Sequence, residues 1–210
     1  KELRELLLPS ASRILEGSDE ALQKQRQLVL RLGEFRDALL RAAVAIEEPR
    51  SVEKLLTAET GTAEEFSEVD REALRVMANN RKIAEKAEVP EKERLGIEDA
   101  NLMRVLVGLN ALVLDPRLCD ASRGHSEDMD KLGFFAHQSP VKGKRNPSDR
   151  ARLAGTSGGG ENIYVGSGDP KAANRGWFFS PGHHKNMFSG GYKRIGLGGY
   201  GRHWTQMFGR

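Results

Sequence analysis

The sequence has one cysteine, Cys119, in 210 residues, so no disulfide can close within the chain and its stability must come from packing. The setting of that cysteine, Arg117-Leu118-Cys119-Asp120-Ala121, predicts a helix carrying a buried structural thiol rather than a reactive one. No apolar run approaches the ~20 residues that cross a bilayer as a helix, which excludes a membrane-spanning helix. A dense basic stripe is also missing. The net charge is +3, and a balance this mild excludes the electrostatic footprint of a nucleic-acid binder. There is no Gly-x-Ser-x-Gly elbow, and Gly196-Leu197-Gly198-Gly199 is followed by no helix, so it is not a dinucleotide fingerprint. The chain opens at Lys1 without an initiator Met and shows no signal peptide, as expected of a trimmed or mature form.

Composition divides what is present into two regions. Of the 23 glycines only Gly17, Gly33, Gly61 and Gly96 precede Ile97, whereas every His, Trp and Tyr follows it. Charged residues balance to −3 before Ile97 and +6 from there on, together the +3 of the whole chain. The segment Val89-Pro90-Glu91-Lys92-Glu93-Arg94-Leu95-Gly96 combines Pro, Gly and charge, and the expected boundary lies there: 1–96 as a helical extension and 97–210 as a separate globular domain.

Within the extension, Leu28, Leu32, Phe35, Leu39, Ala42 and Ile46 follow the four-three alternation of a coiled-coil-like seam. Pro49 ends it, and Thr62-Ala63-Glu64-Glu65 fits a capping box opening a second long helix. Phe66, Val69, Ala73, Val76 and Ile83 continue the spacing, with Asn80 at a seam position. The two seams either pack on each other as a hairpin or join copies of the chain in a homo-oligomer, Asn80 then setting the register.

From Ile97, the spacing of Leu102, Leu106, Leu109 and Leu112 predicts a helix running to Asp115. Helix starts are then announced four times by a capping residue before proline: Asp115-Pro116, Asn146-Pro147, Asp169-Pro170 and Ser180-Pro181. Strand signals are short and late, at Ile163 and Val165, at Ile195 and Leu197, and from Trp204 to Phe208. The residues alone give an α+β fold with an antiparallel sheet.

Three polar side chains stand out in the final third: His137 in Phe134-Phe135-Ala136-His137, Glu161 in Gly160-Glu161-Asn162-Ile163, and His183 in Ser180-Pro181-Gly182-His183. A His, Glu and His from separate loops are the groups that hold zinc with an open fourth position, or that share a proton in acid–base work. Phe134-Phe135 predicts a strand end that delivers His137 into a loop. His184 is expected to project elsewhere and Trp177 to anchor the core. Lys142-Gly143-Lys144-Arg145 fits a solvated turn.

These motifs, with Leu109-Asn110-Ala111-Leu112, Asp115-Pro116-Arg117-Leu118, His125-Ser126-Glu127-Asp128-Met129, Trp177-Phe178-Phe179-Ser180, Ile195-Gly196-Leu197-Gly198 and Trp204-Thr205-Gln206, make the stretch from about Asn101 to Phe208 resemble the CAP superfamily. That is the group of cysteine-rich secretory proteins, antigen 5 and plant pathogenesis-related proteins, here in its short bacterial form. The resemblance implies an α-β-α sandwich around a small, mainly antiparallel sheet, preceded in this chain by an all-helical segment. It also implies secretion, extracellular or periplasmic, a cavity ligand set of His137, Glu161 and His183 for zinc or another divalent metal, and a packing role for His125. Larger members have a second Glu three residues after the Trp, where this chain has Ser180. The resemblance implies two classes of function. One is a binding module for a lipid, a wall polymer or a protein partner; the other is a zinc-dependent hydrolase, peptidase- or esterase-like, with Glu161 as ligand or catalytic base.

Overall fold

The computed structural model describes residues 68–106 and 109–210. The seam at 28–46, the capping box at Thr62 and the alternative oligomer contact lie outside the described residues. The elements are α1 (Glu68–Lys86), α2 (Glu91–Leu106), β1 (Val113–Leu114), α3 (Pro116–Leu132), α4 (Pro147–Leu153), β2 (Gly160–Val165), α5 (Pro170–Phe178), α6 (Pro181–Met187), β3 (Arg194–Tyr200) and β4 (His203–Gly209).

All four Pro-led helices form where the sequence predicts them. Asp115 and Asp169 accept from the backbone N–H groups of Arg117 and Lys171, satisfying donors that the first helical turn leaves open. Asn146 starts α4 differently: its own N–H donates to the Asp149 carboxylate at 3.0 Å. α3 stops at Gly133, whose φ of 69° is left-handed backbone suited to glycine.

The sheet order is β1-β3-β4-β2, with β1 parallel to β3 and the other pairs antiparallel. Its two faces carry different layers, giving the α-β-α sandwich. Met207 of β4 packs with Leu118, Ala121 and Ala151 of α3 and α4. On the opposite face Trp204, Phe208, Ile195 and Leu197 join Ile97, Ala173, Trp177 and Met187 from α2, α5 and α6. The alternation of Ile195 and Leu197 with glycine has a direct use. A Cβ at Gly196 would lie 2.2 Å from the carbonyl carbon of Leu118, and one at Gly198 would lie 2.0 Å from the backbone N of Arg123. Only glycine lets α3 rest on the strand backbone at this distance.

The start of this domain shows two features: first, the helical course of the chain across residue 97, and then a correction to an expected helix. Residues 91–106 form one helix through the stretch expected to be a boundary, with Gly96 packed so closely that a Cβ would meet Leu197 at 2.2 Å and Pro170 at 2.7 Å. α1, which precedes that boundary, contributes Ala84 to the same core as Ile97 and Trp177. Second, the helix expected to run to Asp115 ends at Leu106, and Leu112 enters an extended segment.

Asn80 and Asn101 account for that extended segment. The Asn101 side chain accepts from Leu112 N–H at 2.8 Å and donates to Leu112 O at 2.9 Å. Asn80 donates to the same carbonyl and accepts from Leu114 N–H, both at 2.9 Å. Val113 and Asp115 instead donate to the β3 side, to Lys193 O and Ile195 O. Two asparagine amides therefore occupy the outer edge of β1 as a neighbouring strand would. Asn80, 1% exposed, does this in place of setting a seam register.

Replacing Asn101 by Ala is expected to lower stability by about 1–3 kcal/mol, because Leu112 N–H is left buried without an acceptor. Gly198→Ala is expected to cost at least as much by forcing α3 off the sheet. Urea unfolding checks both; a loss below about 0.5 kcal/mol in each would remove the structural role given to these positions.

Candidate functional site

His137 reaches the site from a loop, not from a strand end as expected. Gly133 closes α3, and Phe134 to His137 follow as irregular backbone outside the sheet. The loop is pinned from below by His125, which is fully buried and donates from Nε2 to Ala136 O at 3.0 Å. A carbonyl only accepts, so Nε2 carries the proton and the buried Nδ1, which has no partner, is the lone-pair nitrogen. Phe134 lies against the His125 ring, with centroids 5.8 Å apart. His125 thus packs and supports, as expected.

Glu161 is the second residue of β2 and its side chain is 2% exposed. Oε1 accepts from His137 Nδ1 at 2.9 Å, and Oε2 is held by the Arg150 guanidinium of α4. His137 is half exposed. With Nδ1–H spent on the carboxylate, Nε2 is the nitrogen left for a ligand. His183, on α6, has its ring centroid 6.4 Å from that of His137 and its Nδ1 hydrogen-bonded to Ser180 Oγ at 2.9 Å. Burial, and secondarily the neighbouring His137, hold the His183 pKa below the ordinary imidazole value. Ser180 therefore orients His183.

The structure brings His137, Glu161 and His183 together. The arrangement is one of imidazoles oriented through Nδ1, and among the described residues no three His, Cys, Asp or Glu side chains are grouped to hold a metal ion. The Glu161 carboxylate is instead paired with the Arg150 guanidinium. The geometry therefore puts Glu161 behind His137 as its hydrogen-bond acceptor, the position that fixes an imidazole's tautomer in many metal sites.

Several supporting residues were not singled out by the sequence. Arg150 carried no signal, being one arginine of a short charged helix. Asn186 donates to Glu161 O and to Asn162 Oδ1, both at 3.0 Å. Asn162, on β2, in turn donates to His183 O at 3.2 Å and Gln206 Oε1 at 3.0 Å, tying the strand to α6. Trp177 is a core anchor, 1% exposed, with its indole N–H on Ile163 O at 2.8 Å. Cys119 is buried, and burial pushes its thiol pKa up to about 12, which rules it out as a nucleophile at neutral pH. Lys144 pairs with Asp128 at 2.9 Å, and His203 with Asp130 at 3.1 Å.

Beside His137 and Glu161 opens a cleft of about 660 Å³. Its walls are the backbone of Gly158, Gly159 and Gly160, the side chain of Asn186, and the stacked pair Tyr192 and Phe208, whose centroids are 4.9 Å apart. The Tyr192 hydroxyl crosses directly over Gly160, where a Cβ would sit 2.2 Å from it. Gly159 faces open space: a Cβ added there would meet nothing within 4 Å.

His184 projects away from the site as expected. Its Nδ1–H donates to Phe178 O at 2.8 Å, and its ring lies between Phe178 and Phe188. Burial lowers the pKa of both His184 and His125. A folded-state value below the unfolded value of about 6.5 favours the neutral ring, so the stability is present above that pH and is lost as pH falls below it. The melting temperature is expected to drop between pH 7 and pH 5, and His184→Phe to reduce that drop by a few degrees. An unchanged pH profile in the variant would show that His184 is not a source of it.

Known proteins share the sequence pattern and the fold. The cysteine-rich secretory protein family, CAP, matches residues 97–207. The uncharacterized protein YkwD of Bacillus subtilis is 36% identical over 120 residues, 55% of this chain and 46% of YkwD. The uncharacterized membrane protein YlbC of the same organism is 33% identical over 118 residues, 56% of this chain and 34% of YlbC. This chain thus spans less than half the length of either relative. A 1.5 Å crystal structure of an extracellular protein containing an SCP domain, from Bacillus anthracis, superposes with a TM-score of 0.54 at 31% identity, covering 57% of this chain and 40% of that one. With its Pro-led helices, its glycine-alternating strand and its His137–Glu161–His183 cluster, the chain belongs to the cysteine-rich secretory protein (CAP) family.

Proposed function

We propose that this chain is an extracellular CAP protein whose cleft binds a polar, extended ligand, a segment of wall polymer. The cleft lining carries this reading. Three successive glycines expose backbone along one wall, His137 and Asn186 lie among the polar lining residues, and Tyr192 supplies an aromatic edge. Such a surface suits a hydroxyl- and amide-bearing chain. Location outside the cytoplasm is supported by the SCP-domain protein of Bacillus anthracis, which is described as extracellular.

Gly159→Phe would fill the cleft from a position with free space around it. Co-sedimentation with purified cell-wall polymer is expected with the parent protein and to fall at least tenfold in this variant, with the melting temperature unchanged. Binding to phospholipid vesicles in place of wall polymer, lost in the same variant, would transfer the cleft to a lipid ligand. Equal wall binding by parent and variant would take the ligand elsewhere on the surface.

A second reading rests on the paired imidazoles. A divalent ion such as zinc would be held by His137 and His183 through the nitrogens not engaged in hydrogen bonds, with Glu161 orienting His137 from behind. When bound, such an ion supplies Lewis acidity and an activated water, the requirement of a hydrolase. The chain's own contribution is to fix both rings, through Glu161 and Ser180, and to hold a ligand beside them. Calorimetry on metal-stripped protein is expected to give micromolar or tighter zinc binding, lost in His137→Ala and in His183→Ala. No binding in the parent would leave the two rings as hydrogen-bonding groups of the ligand cleft.

A further inference from the structure

We propose that Arg150 is the positioning residue of this site: through Glu161 and the loop 137–145 it decides which ring nitrogen His137 offers to the cleft. The inference rests on the reading that His137 acts in the cleft, and goes beyond it by assigning what sets the imidazole.

Arg150 is 2% exposed and lies on the short helix α4. Its guanidinium donates to Lys144 O at 2.8 Å, to Arg145 O at 3.4 Å, to His137 O at 3.1 Å and to Glu161 Oε2. One planar group therefore closes both ends of the loop that presents His137, and also grips the carboxylate on which the His137 ring rests. The backbone and the imidazole of His137 are tethered to the same fork, one directly and one through Glu161.

This grip has a geometric consequence. A carboxylate can offer either oxygen, or both at once to an ion. With Oε2 turned to Arg150, only Oε1 faces His137, and it accepts from Nδ1. The ring is thereby set as the Nδ1–H tautomer with the Nε2 lone pair outward, the form needed by a metal ligand or a base. Packing alone does not explain the arginine, because its buried Nε has no partner, an unfavourable state that a smaller apolar residue would avoid. Lysine could not replace it: a single ammonium cannot span three carbonyls and a carboxylate in one plane.

The test uses histidine-¹⁵N-labelled protein near pH 8, where a free imidazole is neutral, and two readouts: the His137 tautomer by two-bond ¹H–¹⁵N correlation, and zinc affinity by calorimetry. The parent is expected to show His137 as Nδ1–H. Arg150→Lys and Arg150→Gln are expected to give a mixed tautomer and, where the parent binds zinc, affinity weaker by about 10–100-fold. Glu161→Asp keeps Arg150 and its carbonyl contacts but is too short to reach both partners, so it is expected to lose the Nδ1–H preference as well. An Nε2–H tautomer in the parent would overturn the proposal. So would folded Arg150 variants that keep the parent's tautomer, and, should both Arg150 variants fail to fold, so would Glu161→Asp retaining it. Absence of zinc or wall-polymer binding in the parent bears on the proposed function alone, since the tautomer is measured without either.

Discussion

The direct contact of α3 with β3 is the constraint on which the rest of the structure depends. Gly196 and Gly198 leave no side chain between the helix and the strand, so the two backbones meet directly. The helix then lies deep enough for Ser126 Oγ to donate to Gly198 O at 2.8 Å and to meet Thr205 Oγ1 at 3.0 Å. It is also deep enough for the adjacent His125 to reach under the following loop to Ala136 O. A side chain at either glycine would lift α3, and with it the loop that carries His137. The position of the His137 imidazole is therefore set by two residues that do not line the cleft.

The sheet depends equally on how its edges are closed. Exposed edges present unpaired backbone groups that invite other chains. β1 is closed by the Asn80 and Asn101 amides. β2 is closed at Glu161 O by Asn186 and at Ile163 O by the Trp177 indole. Because Asn186 and His183 share helix α6, closing the edge of β2 also places that helix, and Asn162 donating to His183 O locks it from the strand side. Buried Arg104 holds the far end of α6, donating to Met187 O at 2.6 Å and Ser189 O at 3.0 Å. The histidine sits on a helix of only seven residues, tied at both ends by side chains from elsewhere, which compensates for the lack of disulfides in this chain.

What the sequence made legible were features with short-range causes. Pro after a capping residue sets φ and spares a donor locally, and all four such helices form. Strands β2, β3 and β4 show in two-residue alternation, and the three clustered site residues show in motif wording. The failures are cases where a distant partner decides. Leu109 and Leu112 continue a helical spacing, yet two asparagines, one 32 residues away in sequence, supply the bonds that make Leu112 extended. Gly96 has the look of a breaker, yet serves close packing against Pro170 and Leu197 inside a helix. Phe134 and Phe135 suggest a strand, but among the described residues no strand lies beside them to pair with. Arg150 was invisible because nothing local distinguishes an arginine that will be buried on a carboxylate from one that will be solvated.

That last case bears on the electrostatics of the cluster, which holds one carboxylate, Glu161, bonded to His137, and one hydroxyl, Ser180, bonded to His183. A lone buried carboxylate is costly unless paired, and the pairing with Arg150 both neutralises it and fixes its orientation. Ser180, uncharged, then suffices to orient His183 without adding a second charge that would need its own counter-ion. The cluster is internally consistent: one acid, one guanidinium and a hydroxyl hold two imidazoles in place, and any cation drawn to the site meets nitrogen lone pairs before it meets the acid. The single ionised acid is thus committed to Arg150 and His137, and the glycine-walled cleft opens beside the ring it orients.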